Sequence, residues 1–165
     1  MKSLPRWLRS LAAFGFFLMI TLAAAAVGAA ASQASPQMYA IMAKPSWAPP
    51  AWLFGPVWSI LYLMMTVAAW RVWRSGAKNH GALWLYGIHL IFQALWSWLF
   101  FGIGRADFAM LDIVVLWLMI AVLIRQFGRC DRSARMLLIP YALWVSFAAL
   151  LNGALWWLNG GTLPR

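Results

Sequence analysis

Lys44-Pro45-Ser46-Trp47-Ala48-Pro49-Pro50-Ala51-Trp52-Leu53-Phe54-Gly55-Pro56-Val57-Trp58 sets four prolines and three tryptophans within fifteen residues, directly ahead of an apolar run from Ser59 to Trp70. Three of these prolines cannot sit inside a helix, because each lacks an N–H and its ring clashes with the preceding turn. The chain is therefore ordered but irregular up to Pro50, and a helix starts near Ala51. Aromatic rings on so stiff a segment suit a lid over a flat apolar ligand. They suit a membrane-interface anchor equally in kind, since Trp prefers the headgroup zone. On physics alone the anchor is the simpler reading.

The composition around this segment points to lipid as the solvent. Of 165 residues, 65% are hydrophobic and 10% charged, and the mean hydropathy is +0.77. A water-soluble domain of this length could not hide that much apolar surface. Thirteen Lys and Arg against three acidic residues give a net charge of +10. The basic residues fall in short gaps between apolar runs, so they read as topology signals, and no nucleic-acid partner is expected. The one cysteine, Cys130, excludes an intrachain disulfide and falls in a stretch read as a basic loop.

Five apolar runs, at about 8–31, 51–73, 82–101, 108–127 and 136–158, are long enough, or nearly so, to cross about 30 Å of hydrocarbon at about 1.5 Å per residue. Lipid cannot satisfy bare backbone groups, and no alternating pattern suggests a barrel, so all five are predicted helices. The expected fold is all-α: one integral membrane domain over 1–165, a five-transmembrane-helix bundle with a lid loop at about 32–50.

Five spans put the N-terminus, the second loop and the fourth loop on one side. That side holds ten basic residues (Lys2, Arg6, Arg9, Arg71, Arg74, Lys78, Arg125, Arg129, Arg132 and Arg135), and the other holds three (Lys44, Arg105 and Arg165). The split predicts a cytoplasmic N-terminus, an outward C-terminus and an outward Pro/Trp loop. Lys2, Arg6 and Arg9 ahead of an apolar run ending Ala29-Ala30-Ala31 also fit a cleaved signal peptide, but the run is long for one and retention is expected. Ala24, Gly28 and Ser32 recur every four residues, which allows close helix contact or simply reflects Ala richness.

Rise per residue places Trp58 about 10 Å below the outer end of the second span, Gln93 and Trp96 roughly 8–12 Å down the third, Asp112 about 6–9 Å into the fourth and Asn152 about 9 Å from the outer end of the fifth. That clustering predicts a pocket opening outward beneath the Pro/Trp loop. Asp112, an acid inside a span, is a functional candidate by default. It could instead hydrate near the interface, or cap a helix start and pair with Arg105. His89 is deeper; it reads first as a helix–helix hydrogen-bond donor and, more remotely, as a haem ligand. Pro140, Trp144, Ala148, Asn152 and Trp156 share one face at four-residue spacing, and Pro140 should kink the helix or loosen its ladder. A Trp–small–Asn face suits a flat macrocycle or sterol, and ordinary helix packing as well. No paired carboxylate, cysteine cluster, phosphate-binding Gly loop or Ser-His-acid grouping is present, which argues against a hydrolase and gives no metal site.

The pattern K-P-x-W-x-P-P-x-W-x-x-G-P-V-W-x-x-L-Y, Lys44 through Tyr62, resembles the translocator protein family, also called tryptophan-rich sensory proteins (TspO/MBR). Trp96 with Phe100-Phe101-Gly102, Leu111-Asp112, Pro140-Tyr141-x-x-Trp144 and Leu151-Asn152 extend the resemblance over roughly 39–159. It implies a five-helix membrane protein that binds porphyrins and hydrophobic drug-like molecules between its helices, under the first loop. Animal members also bind cholesterol. Some bacterial members break down protoporphyrin in light, and the tryptophans implicated correspond to Trp58 and Trp144, the two tentative catalytic residues here. Tyr39, Pro49, Trp52, Phe100 and Asn152 match other pocket-lining positions.

Two departures stand out. The family's Asn on the third span is Gln93, and its Pro-Pro after the Trp is Ser97-Trp98, so ligand orientation could differ. The animal cholesterol-recognition segment needs a Tyr and a basic residue, where this chain has Gly153 and Trp157. The resulting expectation is a multi-pass protein of a bacterial inner membrane that binds a tetrapyrrole, protoporphyrin or haem, with a sensory or regulatory role and no required cofactor. Its expected ligand-binding residues are Tyr39, Pro49, Trp52, Trp58, Gln93, Trp96, Phe100, Trp144, Ala148 and Asn152. Its partners are the porphyrin or another hydrophobic small molecule and the bilayer, and a homodimer is admissible. Light-dependent porphyrin breakdown and porphyrin transport are the alternatives.

Overall fold

A computed structural model describes residues 5–33, 35–76, 80–161 and 163. The helices are α1 (Arg6–Ala31), α2 (Ser35–Ile41), α3 (Phe54–Arg74), α4 (His80–Ser97), α5 (Ala106–Cys130) and α6 (Arg132–Leu158). A 3₁₀ turn, Ala51–Leu53, leads into α3, and a π-helical turn, Trp98–Gly102, extends α4. With these turns the five long elements run 23 to 27 residues and are apolar enough to cross a membrane. Among the described residues there is no strand.

The helix boundaries follow from local chemistry. Pro56 falls in the first turn of α3, where a missing N–H costs nothing. Pro140 lies inside α6, yet the helix continues through it to Leu158. Asp131 separates α5 from α6 by a single residue. Its carboxylate accepts the Ala134 N–H at 2.8 Å, which caps α6. Arg71 of α3 donates to both of its oxygens, at 3.1 and 2.9 Å. This one residue turns the chain and ties the turn to α3.

Two boundaries differ from the sequence expectation. The fourth loop shrinks to one residue, so Cys130 ends α5 and Arg125, Arg129, Arg132 and Arg135 are helical. Falling hydropathy marks where a helix leaves lipid, not where its hydrogen bonds stop. The 32–50 segment also is not irregular throughout, since α2 occupies its first half.

The spanning helices close a ring: α1 packs on α3 and α4, α3 on α6, α6 on α5, and α5 on α4. Contacts change character along the bundle. At the end bearing Arg71 and Asp131, the basic end, Trp70 donates to the Ser10 carbonyl at 3.0 Å and meets Phe14 edge-on. That joins α1 to α3. At the opposite, loop end α1 leans on α4. A Cβ added at Gly28 would stand 3.3 Å from Ser97 Oγ, and Trp98 donates to the Val27 carbonyl at 3.0 Å. Gly28, the middle residue of the small-residue spacing on α1, thus serves a close approach, and Ser97-Trp98 carries the α4 side of it.

Candidate ligand-binding cavity

At the basic end the interior is filled. Ala68, Ala69, Val72, Ile120, Leu123, Phe127, Ala134 and Leu138 are fully buried and pack as one cluster. At the loop end the ring encloses a cavity of about 780 Å³, inside the roughly 300–1,000 Å³ range of small-molecule sites. Large rings hold the helices apart there. On α3, Phe54, Trp58 and Tyr62 face the cavity at four-residue spacing, and Trp58 stacks on Tyr62 at 5.4 Å between centroids. The π-helical turn brings Phe100 and Phe101 to the wall together, and Trp96 stacks on Phe100 at 5.0 Å and 18°. On α6, Trp144 meets Phe54 edge-on at 5.9 Å, and Ala148 and Asn152 follow it along the wall.

Polar groups on the wall are few and mostly paired with one another. Trp96 donates its indole N–H to Asn152 Oδ1 at 3.2 Å, and Asn152 Nδ2 donates to the Ala106 carbonyl at 3.0 Å. Gln93 donates to the Tyr62 hydroxyl at 2.6 Å, while its own side-chain carbonyl is buried without a partner. Among the described residues the indole N–H groups of Trp58 and Trp144 take part in no hydrogen bond.

The 32–50 segment covers the loop end. Met38 and Tyr39 of α2 are buried, and Tyr39 donates its hydroxyl to the Pro49 carbonyl at 2.9 Å. Burial also raises the Tyr39 pKa. Lys44 donates to the carbonyls of Tyr39, Ala40 and Met42 at 2.7, 3.2 and 3.2 Å, which holds the end of α2. Asn159, just past α6, accepts from the Ala43 N–H and donates to the Ala43 carbonyl, both at 3.0 Å. Trp47 packs edge-on against Phe147 of α6 at 5.8 Å. Between α1 and α3 the wall is thinner: Leu22 and Leu63 line the cavity yet are 51% and 53% exposed. Ala26, Ala29, Gly55 and Ser59 along the same seam are also exposed.

Eight of the ten residues singled out in the sequence stand on this wall: Tyr39, Trp58, Gln93, Trp96, Phe100, Trp144, Ala148 and Asn152. Pro49 and Trp52 do not. Pro49 acts behind the wall as the acceptor for Tyr39, and Trp52 points outward, 71% exposed. Trp156 shares the α6 spacing but donates to the Gly161 carbonyl, away from the cavity. Asp112 is buried behind the wall with neither oxygen hydrogen-bonded, and Arg105 pairs with Asp107 instead, at 2.6 Å. Phe54, Tyr62 and Phe101 were missed by the sequence reading. The four-residue spacing of Phe54, Trp58 and Tyr62 was signal enough to find two of them.

A haem iron is held in proteins by His, Cys, Met or Tyr. Among the described residues the wall offers only Tyr39 and Tyr62 of these types, and both hydroxyls are hydrogen-bonded. His89 is buried between the Tyr86 and Tyr141 rings, its Nδ1 on the Tyr86 carbonyl, and does not reach the cavity. The wall therefore does not fit an axially ligated haem.

A sequence model described as the TspO/MBR family matches residues 16–158. The chain is 41% identical over 142 residues to the Tryptophan-rich protein TspO of Chlorobaculum tepidum, covering 81% of this chain and 89% of that one. It is 35% identical to Protein CrtK of Rhodobacter capsulatus, covering 94% and 98%. It is 34% identical to the Translocator protein of Ovis aries, covering 74% and 75%. With five apolar spanning helices and a family match over most of its length, this chain is a multi-pass membrane protein that belongs to the TspO/MBR family.

Proposed function

We propose that this protein is a membrane receptor for tetrapyrroles, protoporphyrin foremost, with a sensory or regulatory role. The observation that carries the reading is the aromatic-walled cavity of about 780 Å³ under an ordered loop. A flat apolar macrocycle gains from such walls both buried area and ring stacking. The family supports the reading, and a relative 36% identical over 116 residues is named Tryptophan-rich sensory protein. Titrating purified protein with protoporphyrin, haem and cholesterol, read by tryptophan fluorescence, tests it. Saturable quenching by protoporphyrin is the expected result, and quenching by none of the three removes it.

A second reading, light-dependent porphyrin breakdown, is favoured by one observation: Trp58 and Trp144 both stand on the wall with no hydrogen bond on their indole N–H groups. Illumination of the protein–protoporphyrin complex, followed by its Soret band, separates binding from breakdown. Band loss that slows in Trp58→Phe and Trp144→Phe is the signature of breakdown at this site.

The ten-to-three division of basic residues supports an N-terminus in the cytoplasm and a loop outside, and the membrane of this reading is a bacterial inner membrane. Reporter fusions at both termini in intact cells check it, and a cytoplasmic C-terminal reporter contradicts it.

A further inference from the structure

The cavity wall is as informative for what it withholds as for what it offers. Among the described residues no Lys, Arg, His, Asp or Glu lines it. The described cationic groups at the loop end, Lys44 and Arg105, are committed elsewhere. Lys44 reaches the Tyr39 ring, its ammonium 5.0 Å from the centroid, but it donates to three backbone carbonyls at the end of α2. An ammonium has three N–H donors, so this set leaves none over. Arg105 donates twice to Asp107, at 2.9 and 2.6 Å, and its guanidinium covers the Phe108 ring. An ionised carboxylate moved into this cavity would lose its hydration and meet no cation, and a charge buried that way is costly.

The seam between α1 and α3 offers another course. Leu22, Ala26, Gly55 and Ser59 line the cavity and are exposed on the outside of the bundle. A macrocycle can place its apolar body between Trp58, Trp96 and Trp144 and leave an acidic edge at the end of this seam that bears Gly55 and Ser59, in the first turns of α3 beside the loop. The aromatic walls act on the ring itself, and stacking is indifferent to whether the edge is an acid or an ester.

Building on the tetrapyrrole reading, we propose that this site recognises the apolar body of a metal-free macrocycle, pairs no cation with its acidic groups and supplies no axial ligand to a bound metal. The ligand class is a flat, uncharged ring system whose polar edge stays outside the cavity. Neutral esters are accepted as readily as free acids.

The test uses the full-length protein in detergent or nanodiscs and three probes: protoporphyrin IX, its dimethyl ester, and ferric haem. Affinity is read by tryptophan quenching, and ligation by the haem absorption spectrum. The ester should bind within about threefold of the free acid, since a small difference reflects area alone. Affinity for the free acid should also change by less than about twofold between roughly 50 and 500 mM salt, because no exposed charge pair is there to be screened. Haem should show no imidazole- or thiolate-ligated spectrum, and the spectrum should be the same in His89→Gln.

An ester weaker than the acid by more than about tenfold would reveal a cation in the site and overturn the proposal. An imidazole-type haem spectrum that disappears in His89→Gln would overturn it as well. His89→Gln could disturb packing, so the ester comparison in the unmodified protein stands independently. If protoporphyrin and its ester both fail to bind, the tetrapyrrole reading itself falls. If protoporphyrin binds and the ester does not, that reading survives and only this inference is lost.

Discussion

The two halves of the bundle use the same five helices and reach opposite results. At the basic end small residues meet large ones: Ala68, Ala69 and Ala134 are fully buried, as are Phe127, Tyr86 and Tyr141. Their volumes interlock in one buried cluster, as protein interiors normally do. At the loop end, rings from α3, α4 and α6 face one another, and each is braced by a neighbour: Trp58 by Tyr62, Trp96 by Phe100, Trp144 by Phe147. Braced rings cannot collapse inward, so the space between them persists. The lesson is that helix length and hydropathy specify a bundle, while the size pattern along each helix decides which part is solid and which hollow.

Adding volume breaks this contrast most strongly. Ala69→Leu, in the filled half, should destabilise the protein by about 1–3 kcal/mol, because a tight core cannot accommodate extra methylenes. Thermal unfolding in detergent measures it. Ala148→Leu, on the cavity wall, adds the same volume and should leave the melting temperature unchanged. Equal losses at both sites would mean that the loop half is packed as tightly as the other.

The next effect belongs to the basic end alone. Asp131→Ala removes both the α6 cap and the Arg71 pair, and should cost about 1–2 kcal/mol. Asp131→Asn keeps the cap and should cost about half of that or less. Arg71, first through its hydrogen bonds, holds the Asp131 carboxyl below its ordinary value. A carboxyl depressed in the folded state stabilises fully above its unfolded value, near about 3.9, and that contribution fades as pH falls through the folded value. The gap in stability between wild type and Asp131→Asn should therefore be present at neutral pH and close in acid. A gap that widens in acid would contradict the assignment. Ligand affinity should not respond to either variant, since both changes lie at the far end from the cavity.

Smaller effects sharpen the hollow half. Trp144→Phe and Trp58→Phe should each weaken protoporphyrin binding by about 0.5–1.5 kcal/mol beyond the change in area, with helical circular dichroism unchanged. Unaltered affinity in both variants takes these residues out of the site. The loop should matter least. Asn159→Ala removes two hydrogen bonds to Ala43, and Pro49 with Pro50 replaced by Ala loosens the cover. Each should weaken binding by about 0.5–1.5 kcal/mol or less. Bound ligand should protect this loop from protease more than it protects the turn at Asp131. Lower expression with unchanged affinity per folded molecule would make the loop an interfacial anchor only.

How far the sequence carried the description depends on the residue. The five spans were legible because lipid demands long apolar helices, and the Pro/Trp segment marked the start of α3 within a few residues. Trp58, Gln93, Trp96 and Asn152 could be placed in one outer zone because depth needs only rise per residue. Which way a side chain faces depends on helix rotation, and rotation is set by packing partners distant in sequence. That is why Asp112 fell in the same zone by depth yet stands behind the wall. It is also why Trp52 looks like a pocket residue by motif and points outward. The one-residue turn at Asp131 was hidden for a different reason. It rests on a contact with Arg71, sixty positions earlier in the chain.

Equilibrium titration with protoporphyrin of the wild type beside Ala148→Trp, a variant that fills the cavity from α6, tests the central claim most directly. The account predicts saturable tryptophan quenching in the wild type. In the variant it predicts a loss of affinity of at least about tenfold, more than about 1.4 kcal/mol, with helical circular dichroism and melting temperature retained. Wild-type affinity in a folded Ala148→Trp protein would contradict it, because the ligand would then bind somewhere other than the hollow half of the bundle.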